Sequence, residues 1–200
     1  MLSEKFTRMD NKTRSKITDI CEHTYKKCKP YFKNTRVALD IGSKEGLFAQ
    51  QMCKDFDHIH TFDMRYKKEK DWEKLLNNKK VTRHRCAIGN MIGEVEHSGA
   101  YTNVYVDGIV PTVSPIKTID SFKFDVVDFI KIDVEGAEYG AVKGIAAATW
   151  KILYVELSTN RQGAAPIENF IELIAQLWPG SYVISKKNYE DVSDIYFGMR

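Results

Sequence analysis

The chain has 200 residues, 43% hydrophobic and 28% charged, which suits one globular domain with a full core and is short for two. No run approaches the roughly 20 apolar residues of a membrane span, and the first 30 residues are charged without the apolar centre of a secretion signal, so the sequence reads as soluble, cytoplasmic and without a membrane partner. The net charge of +3 is unevenly placed: residues 1–85 carry 21 Lys and Arg against 12 Asp and Glu, while residues 86–200 carry 9 against 15, so only the first half attracts anions.

Residues 2–28 set Leu2, Phe6, Met9, Ile17, Ile20 and Tyr25 among charges at helical spacing, and Pro30 helps to end the pattern. This predicts a helical extension over residues 1–34 on a core formed by residues 35–200, within a single domain. Strand-like and helical runs then alternate: Val37–Ile41 as strand, Leu47–Asp55 as helix, His58–Phe62 as strand, Glu69–Asn77 as helix and Val81–Ile88 as strand. Such alternation is the mark of βαβ units and a mostly parallel sheet.

A polar, glycine-bearing stretch over 89–117 reads as an insert. Phe129–Val134 as strand, Ala137–Thr149 as helix and Ile152–Leu157 as strand form another unit. Pro166 then opens a helix over Ile167–Trp178, which Pro179-Gly180 ends. Tyr182–Ser185 and Val192–Met199 close the chain as an antiparallel pair. The cysteines, Cys21, Cys28, Cys53 and Cys86, follow no zinc-binding or disulfide spacing and read as reduced thiols.

Two segments carry chemistry. In Val37-Ala-Leu-Asp-Ile-Gly-Ser-Lys-Glu-Gly46 a strand ends in an acid and glycines, which allow a sharp turn and close approach of a ligand to the backbone, with helix N–H groups beyond. The Gly-x-Gly-x-x-Gly fingerprint of nicotinamide enzymes is absent. Asp40 suits a ligand with a cationic amino group, such as the methionyl part of S-adenosylmethionine; the plainer alternative is a turn with an Asp helix cap. Asp63, at the next strand end, suits the hydroxyls of a ribose. Arg85-Cys-Ala-Ile-Gly89 offers small residues and main-chain groups to a flat base.

The second segment is Asp128-Phe-Ile-Lys-Ile-Asp-Val-Glu-Gly-Ala-Glu138, where period-two alternation places Lys131 and Asp133 on one face of a buried strand, with Glu135 continuing that side if the strand persists. Unpaired burial of such groups costs several kcal/mol, so Lys131 reads first as a structural partner of Asp40 on the adjacent strand. Asp133, Glu135 and Glu156 converge at strand ends where ligands bind. They could orient a hydroxyl, remove its proton or, in the least favoured role, hold a divalent cation.

These residues resemble the FkbM-type methyltransferase family in the turn Asp40 to Gly46, the specific segment Lys131 to Glu138, Cys86-Ala-Ile-Gly89, Thr118-Ile-Asp-Ser-Phe122 and Leu153-Tyr-Val-Glu156. The likeness covers roughly residues 37–160. It implies an α/β class I methyltransferase fold, Rossmann-like and doubly wound, with a mostly parallel seven-stranded sheet and one antiparallel strand. It also implies methyl transfer from S-adenosylmethionine, most often to an oxygen of a sugar or other small hydroxylated acceptor. Carried onto this chain, Asp40, Gly42, Ser43, Gly46, Asp63, Met64, Cys86, Ala87 and Asp133 become cofactor contacts; Asp133, Glu135 and Glu156 become the catalytic set, Asp133 assisting deprotonation; and no residue is assigned to a metal. The chain departs from the pattern at Phe62-Asp-Met64, where Phe-Glu-Pro is usual, and in the charged Ser43-Lys-Glu45. Substrate choice is expected in Met91–Pro115, with Tyr101 and Tyr105, and in the N-terminal helix.

Two rival readings remain. The basic residues Lys26, Lys27, Lys29, Lys33, Arg36, Arg65, Lys67, Lys68, Lys70, Lys79, Lys80, Arg83 and Arg85 could serve an RNA ribose methyltransferase, with a solvated surface as the simpler account. A noncatalytic binding module on the same fold is the other, since fold alone does not specify reaction.

Overall fold

The computed structural model describes residues 11–64, 78–98, 101–102, 112–159 and 166–200. Helix α1 covers Asn11–Cys28, followed by β1 (Val37–Ile41), α2 (Leu47–Met52), β2 (His58–Phe62), β3 (Val81–His84), β4 (Ala87–Ile88), β5 (Gly93–Ser98), β6 (Tyr101–Thr102) and β7 (Thr112–Lys117). The chain continues through β8 (Val127–Ile132), α3 (Glu138–Lys143), β9 (Trp150–Ser158), α4 (Ile167–Leu177), β10 (Ser181–Asn188) and β11 (Val192–Met199). A seven-stranded sheet runs in the order β10-β11-β9-β8-β1-β2-β3. All neighbours among β9, β8, β1, β2 and β3 are parallel, and β11 is antiparallel to both β9 and β10. This is the doubly wound sheet with one reversed strand that the resemblance implies.

Strand β8 is buried along its whole length, as a central parallel strand covered on both faces must be. Leu39, Ile41, Ile130, Ile132, Leu153 and Val155 point to the face packed by α3 and α4; Ala38, Phe129, Ile152 and Tyr154 point to the other, packed by α1 and α2. Alternation along each strand therefore builds both cores at once.

Helix α1 is fixed by Tyr25, 2% exposed, whose ring meets Phe48 and Phe129 edge-on. Burying such a ring contributes about 2–3 kcal/mol. Its hydroxyl donates to Asp55 Oδ2 at 2.8 Å, and Lys29 pairs with Asp55 at 2.9 Å, tying the end of α1 to the turn after α2. At the foot of β8, Asp128 accepts from the Arg36 backbone N–H at 2.9 Å and from two guanidinium nitrogens at 3.1 and 3.2 Å. Burial works against that carboxylate, but Arg36 outweighs it and holds its pKa below the usual range.

Several boundaries differ from expectation. The run Val81–Ile88 breaks after His84, because β3 belongs to the large sheet and β4 to a second, four-stranded sheet ordered β4-β7-β5-β6. The described residues of the polar insert are thus mostly strand: β5 and β7 pair antiparallel, with buried His97 2.8 Å from Ser114 Oγ. Strand β8 ends at Ile132, two residues short of Val134, and α2 and α3 stop at Met52 and Lys143. Strand β10 runs on to Asn188, three residues beyond Ser185. Residues 69–77 and 1–10 lie outside the described residues. Among the described residues no helix is long and apolar enough to cross a membrane.

Candidate functional site

The carboxyl ends of β1, β2 and β8 meet around the turn that follows β1. Gly42 has φ +80°, and a Cβ there would fall 1.7 Å from the Asp133 carbonyl oxygen, so only glycine lets β1 and β8 close on each other at this point. The turn is stitched down by its own amides. Gly42 and Ser43 N–H donate to Phe62 O at 2.9 and 3.2 Å, Gly46 N–H to Ser43 O, and Lys44 N–H to Asp63 Oδ2 at 2.8 Å. The expected fan of helix N–H groups aimed at a ligand is therefore not formed by these residues. Their amides hold the turn, and α2 is only six residues long.

Beneath the turn lies a buried charge cluster. Lys131, 4% exposed, donates to Gly42 O at 2.8 Å and stands 3.2 Å from Asp40 Oδ1 and 3.3 Å from Asp133 Oδ2. The β1–β8 register sets Asp40 directly opposite Lys131, as the structural-partner reading requires. Burial opposes the charge on Lys131, but Asp133 and Asp40 outweigh it and push its pKa above the ordinary value. Asp40 is fully buried, which pushes its pKa up while Lys131 pulls it down; neither oxygen accepts a well-aligned hydrogen bond. Asp40 lines neither of the cavities described next, so its place is under the cradle wall.

The first cavity, of about 200 Å³, is walled by Gly42, Asp63, Met64, Cys86 and Ala87 together with Asp133 and Glu135. The structure thus brings together most of the sequence-derived cofactor set. It adds Ile88 of the Cys86-Ala-Ile-Gly89 motif, and Asn90, Val95 and Ile116, which no motif had marked, the last two from β5 and β7 of the second sheet. From the 91–115 insert Val95 lines this cavity; Tyr105 lies outside the described residues, and of Tyr101 only the backbone is described. Gly46 lines neither cavity; its φ of +76° turns the chain into α2.

A second cavity, of about 300 Å³, lies on the α1 side and is lined by Cys21, Ser43, Lys131, Asp133, Glu135 and Glu156 among others. Gly42, Asp133 and Glu135 border both spaces. Glu135 reaches this position from a left-handed turn, φ +56°, and not as a continuation of the strand. Burial, then the charge of Asp133, lifts the Glu156 carboxyl to about 7. Cys21, on α1 above this cluster, is lifted by burial to about 11, leaving it a neutral thiol. Ser43 Oγ is buried here without a hydrogen-bond partner, an orphaned polar atom of the kind a ligand satisfies.

The FkbM methyltransferase domain model matches residues 20–189. The chain belongs to that family. Methyl transfer from S-adenosylmethionine is the chemistry that FkbM membership carries, and no curated protein sequence matches the chain. Among solved structures, the FkbM methyltransferase of Methylobacillus flagellatus KT is similar with a TM-score of 0.56 at 17% identity, over 82% of this chain and 43% of that one. This chain therefore spans less than half of that relative. The 1,6-didemethyltoxoflavin N1-methyltransferase of Burkholderia thailandensis, with 1,6-didemethyltoxoflavin and S-adenosylhomocysteine bound, has a TM-score of 0.56 at 11% identity, over 93% and 81% of the two chains. A putative RNA methyltransferase of Pyrococcus horikoshii has a TM-score of 0.51 at 10% identity, over 99% and 93%. At these identities the likeness is one of fold.

The FkbM cradle fits its cofactor on features of this chain. A left-handed glycine turn ends β1 at the wall of the first cavity, a strand-end carboxylate at Asp63 is oriented by Lys44 N–H, and Met64, Cys86 and Ala87 line the same space. Among the described residues no three His, Cys, Asp or Glu side chains group closely enough to hold a metal ion. Of the basic residues, Lys80 donates to the carbonyls of Cys53 and Phe56 at 3.3 and 3.0 Å and so closes the end of α2, whereas Arg65, Lys67, Lys68 and Lys70 lie outside the described residues.

Proposed function

We propose that this chain O-methylates a small hydroxylated acceptor, with the cofactor in the first cavity and the acceptor hydroxyl in the second. The observation that carries the reading is the shared border: Gly42, Asp133 and Glu135 face both spaces, and a carboxylic acid lifted to about 7 stands on the acceptor side. The FkbM-family cofactor supplies an electrophilic methyl group on a sulfonium.

Asp63, Met64, Cys86 and Ala87 hold the nucleoside end of the cofactor, and Gly42 and Asp133, which border both cavities, the other. Glu156 accepts the hydroxyl proton, since its pKa near neutrality suits a general base at physiological pH. Asp133, the acid that the sequence favours for this role, already has its charge answered by Lys131 and serves to orient. Glu135 completes the rim. Holding two reactants in line accounts for most of the acceleration such a site needs.

Calorimetric titration with S-adenosylhomocysteine, with NADH as control, tests the cofactor half. Micromolar-order affinity is expected, weakened in Asp63→Ala, and an absence of binding sinks the reading. Radiolabelled methyl transfer to a panel of polyols, glycosides and RNA tests the acceptor half. Labelling of RNA alone would replace the small acceptor with the nucleic-acid alternative.

A further inference from the structure

The second sheet lies against the first cavity, and alternation along its strands picks out the inner face. Val95 and His97 on β5 and Ser114 and Ile116 on β7 share that face, with Val95 paired directly opposite Ser114. The intervening Glu94, Glu96, Val113 and Pro115 are exposed. Val95 and Ile116 line the cavity, whereas Ser114 and His97 are buried beside them, 2% and 6% exposed.

This sheet is tied to the cavity wall on two sides. On one, β4 pairs in parallel with β7, the wall residue Ala87 standing opposite Ile116, and Gly89 N–H donates to Lys117 O at 3.0 Å. On the other, Ser114 Oγ donates a long hydrogen bond, 3.5 Å, to the carbonyl of Met64, the wall residue that follows Asp63. A serine hydroxyl has one proton, and with that proton directed at Met64 the oxygen accepts from His97 Nε2–H at 2.8 Å. His97 thus aims Ser114, and Ser114 holds the chain where β2 gives way to the cavity wall. Lys44 N–H holds Asp63 from the opposite direction, through the turn after β1.

We propose that His97 and Ser114 are positioning residues for the nucleoside end of the cofactor. Acting through the Met64 carbonyl, they set the distance between Asp63 and Met64 on one wall and Val95 and Ile116 on the other. The proposal rests on the methyltransferase reading above. Neither residue lines the cavity, so both work through the groups they hold. Two apolar side chains would fill the same space without the cost of burying polar groups, so packing alone does not account for a histidine and a serine here. Buried as they are, their hydrogen bonds meet little competition from water and fix direction as well as distance.

The test is calorimetry on the full chain with S-adenosylhomocysteine and with methylthioadenosine, which keeps the nucleoside and lacks the amino-acid end. Ser114→Ala should weaken both ligands alike, by about fivefold, the equivalent of one ordinary hydrogen bond. His97→Leu should do the same, and the double variant should bind no more weakly than Ser114→Ala, since the two residues act in one chain. Thermal melting separates positioning from packing. Ser114→Ala takes the acceptor from His97 Nε2–H and should melt lower, whereas His97→Leu/Ser114→Ala removes both partners and should regain melting temperature while its affinities stay low. Ser114→Thr and His97→Gln, which keep a hydroxyl and an N–H donor, should recover most of the affinity.

Binding by the wild type with affinities unmoved in Ser114→Ala or His97→Leu would overturn the proposal. So would a loss confined to S-adenosylhomocysteine, a double variant whose affinity returns with its melting temperature, or conservative variants as weak as the apolar ones. Failure of the wild type to bind either ligand would instead sink the methyltransferase reading, and the proposal with it.

Discussion

Replacing Lys131 by methionine removes the positive partner that stands beside Asp40, a carboxylate with no exposed surface. Breaking a buried pair by removing one member typically costs about 3–5 kcal/mol. The loss should depend on pH, because Asp40 can escape by taking a proton. Without Lys131 its folded pKa rises beyond where burial has already pushed it, so within the variant the penalty on the fold grows by about 1.4 kcal/mol per pH unit above the unfolded value near 4. At pH 7 the growth amounts to roughly 4 kcal/mol, and at pH 5 to roughly 1.4 kcal/mol. The sign follows from linkage: a carboxyl whose folded pKa is raised loses stability as pH rises through the window and regains it as pH falls to the unfolded pKa. Urea unfolding followed by the fluorescence of Trp150 and Trp178, both buried, gives the measurement at the two pH values. Adding Asp40→Asn to Lys131→Met should recover most of the neutral-pH loss. A penalty independent of pH, or a double variant no more stable than Lys131→Met, would refute the reasoning.

Gly42→Ala forces a methyl group onto the Asp133 carbonyl at a left-handed φ, so thermal melting should fall and S-adenosylhomocysteine affinity drop by about tenfold or more. With Glu156 at about 7, wild-type turnover should rise through neutral pH, and Glu156→Gln should lose both the inflection and most of the rate in the methyl-transfer assay. The same variant should be more stable than wild type above pH 7 and not below pH 4.5, since a raised carboxyl pKa costs stability only as pH climbs; urea melts at pH 8 and pH 4 check this. His60, lowered to about 4 by burial and by His58 and His84, must stay neutral in the fold, so the protein should lose stability as pH falls from about 6.5 toward 4, and His60→Gln should flatten that decline in acid-titration melts.

The large sheet was legible because its strands are short apolar runs bounded by glycine or acid. Val37–Ile41 and His58–Phe62 begin and end where expected, and the reversed final strand follows from the spacing of its hairpin. The second sheet was hidden for identifiable reasons. In β5 the inward positions are Val95 and His97, and a buried histidine does not read as hydrophobic; in β7 Pro115 argues against a strand although it sits there, opposite Glu94. The site was half legible. Asp63, Met64, Cys86 and Ala87 line the first cavity; Asp40 does not, and meets Lys131 of the next strand, the pairing that the alternation along β8 suggested. Helix α1 carried periodicity but no motif, so its role above Glu156 emerges only from packing.

The 200 Å³ cavity draws every residue of its wall from between Ile41 and Gly140, whereas a groove of about 630 Å³ draws on residues 16–27 and 156–194. The middle of the chain and its two ends are thus separate genetic territories. Substitutions confined to the terminal segments change the lining of the groove between α1 and the β10–β11 hairpin while leaving every residue that walls the 200 Å³ cavity unaltered.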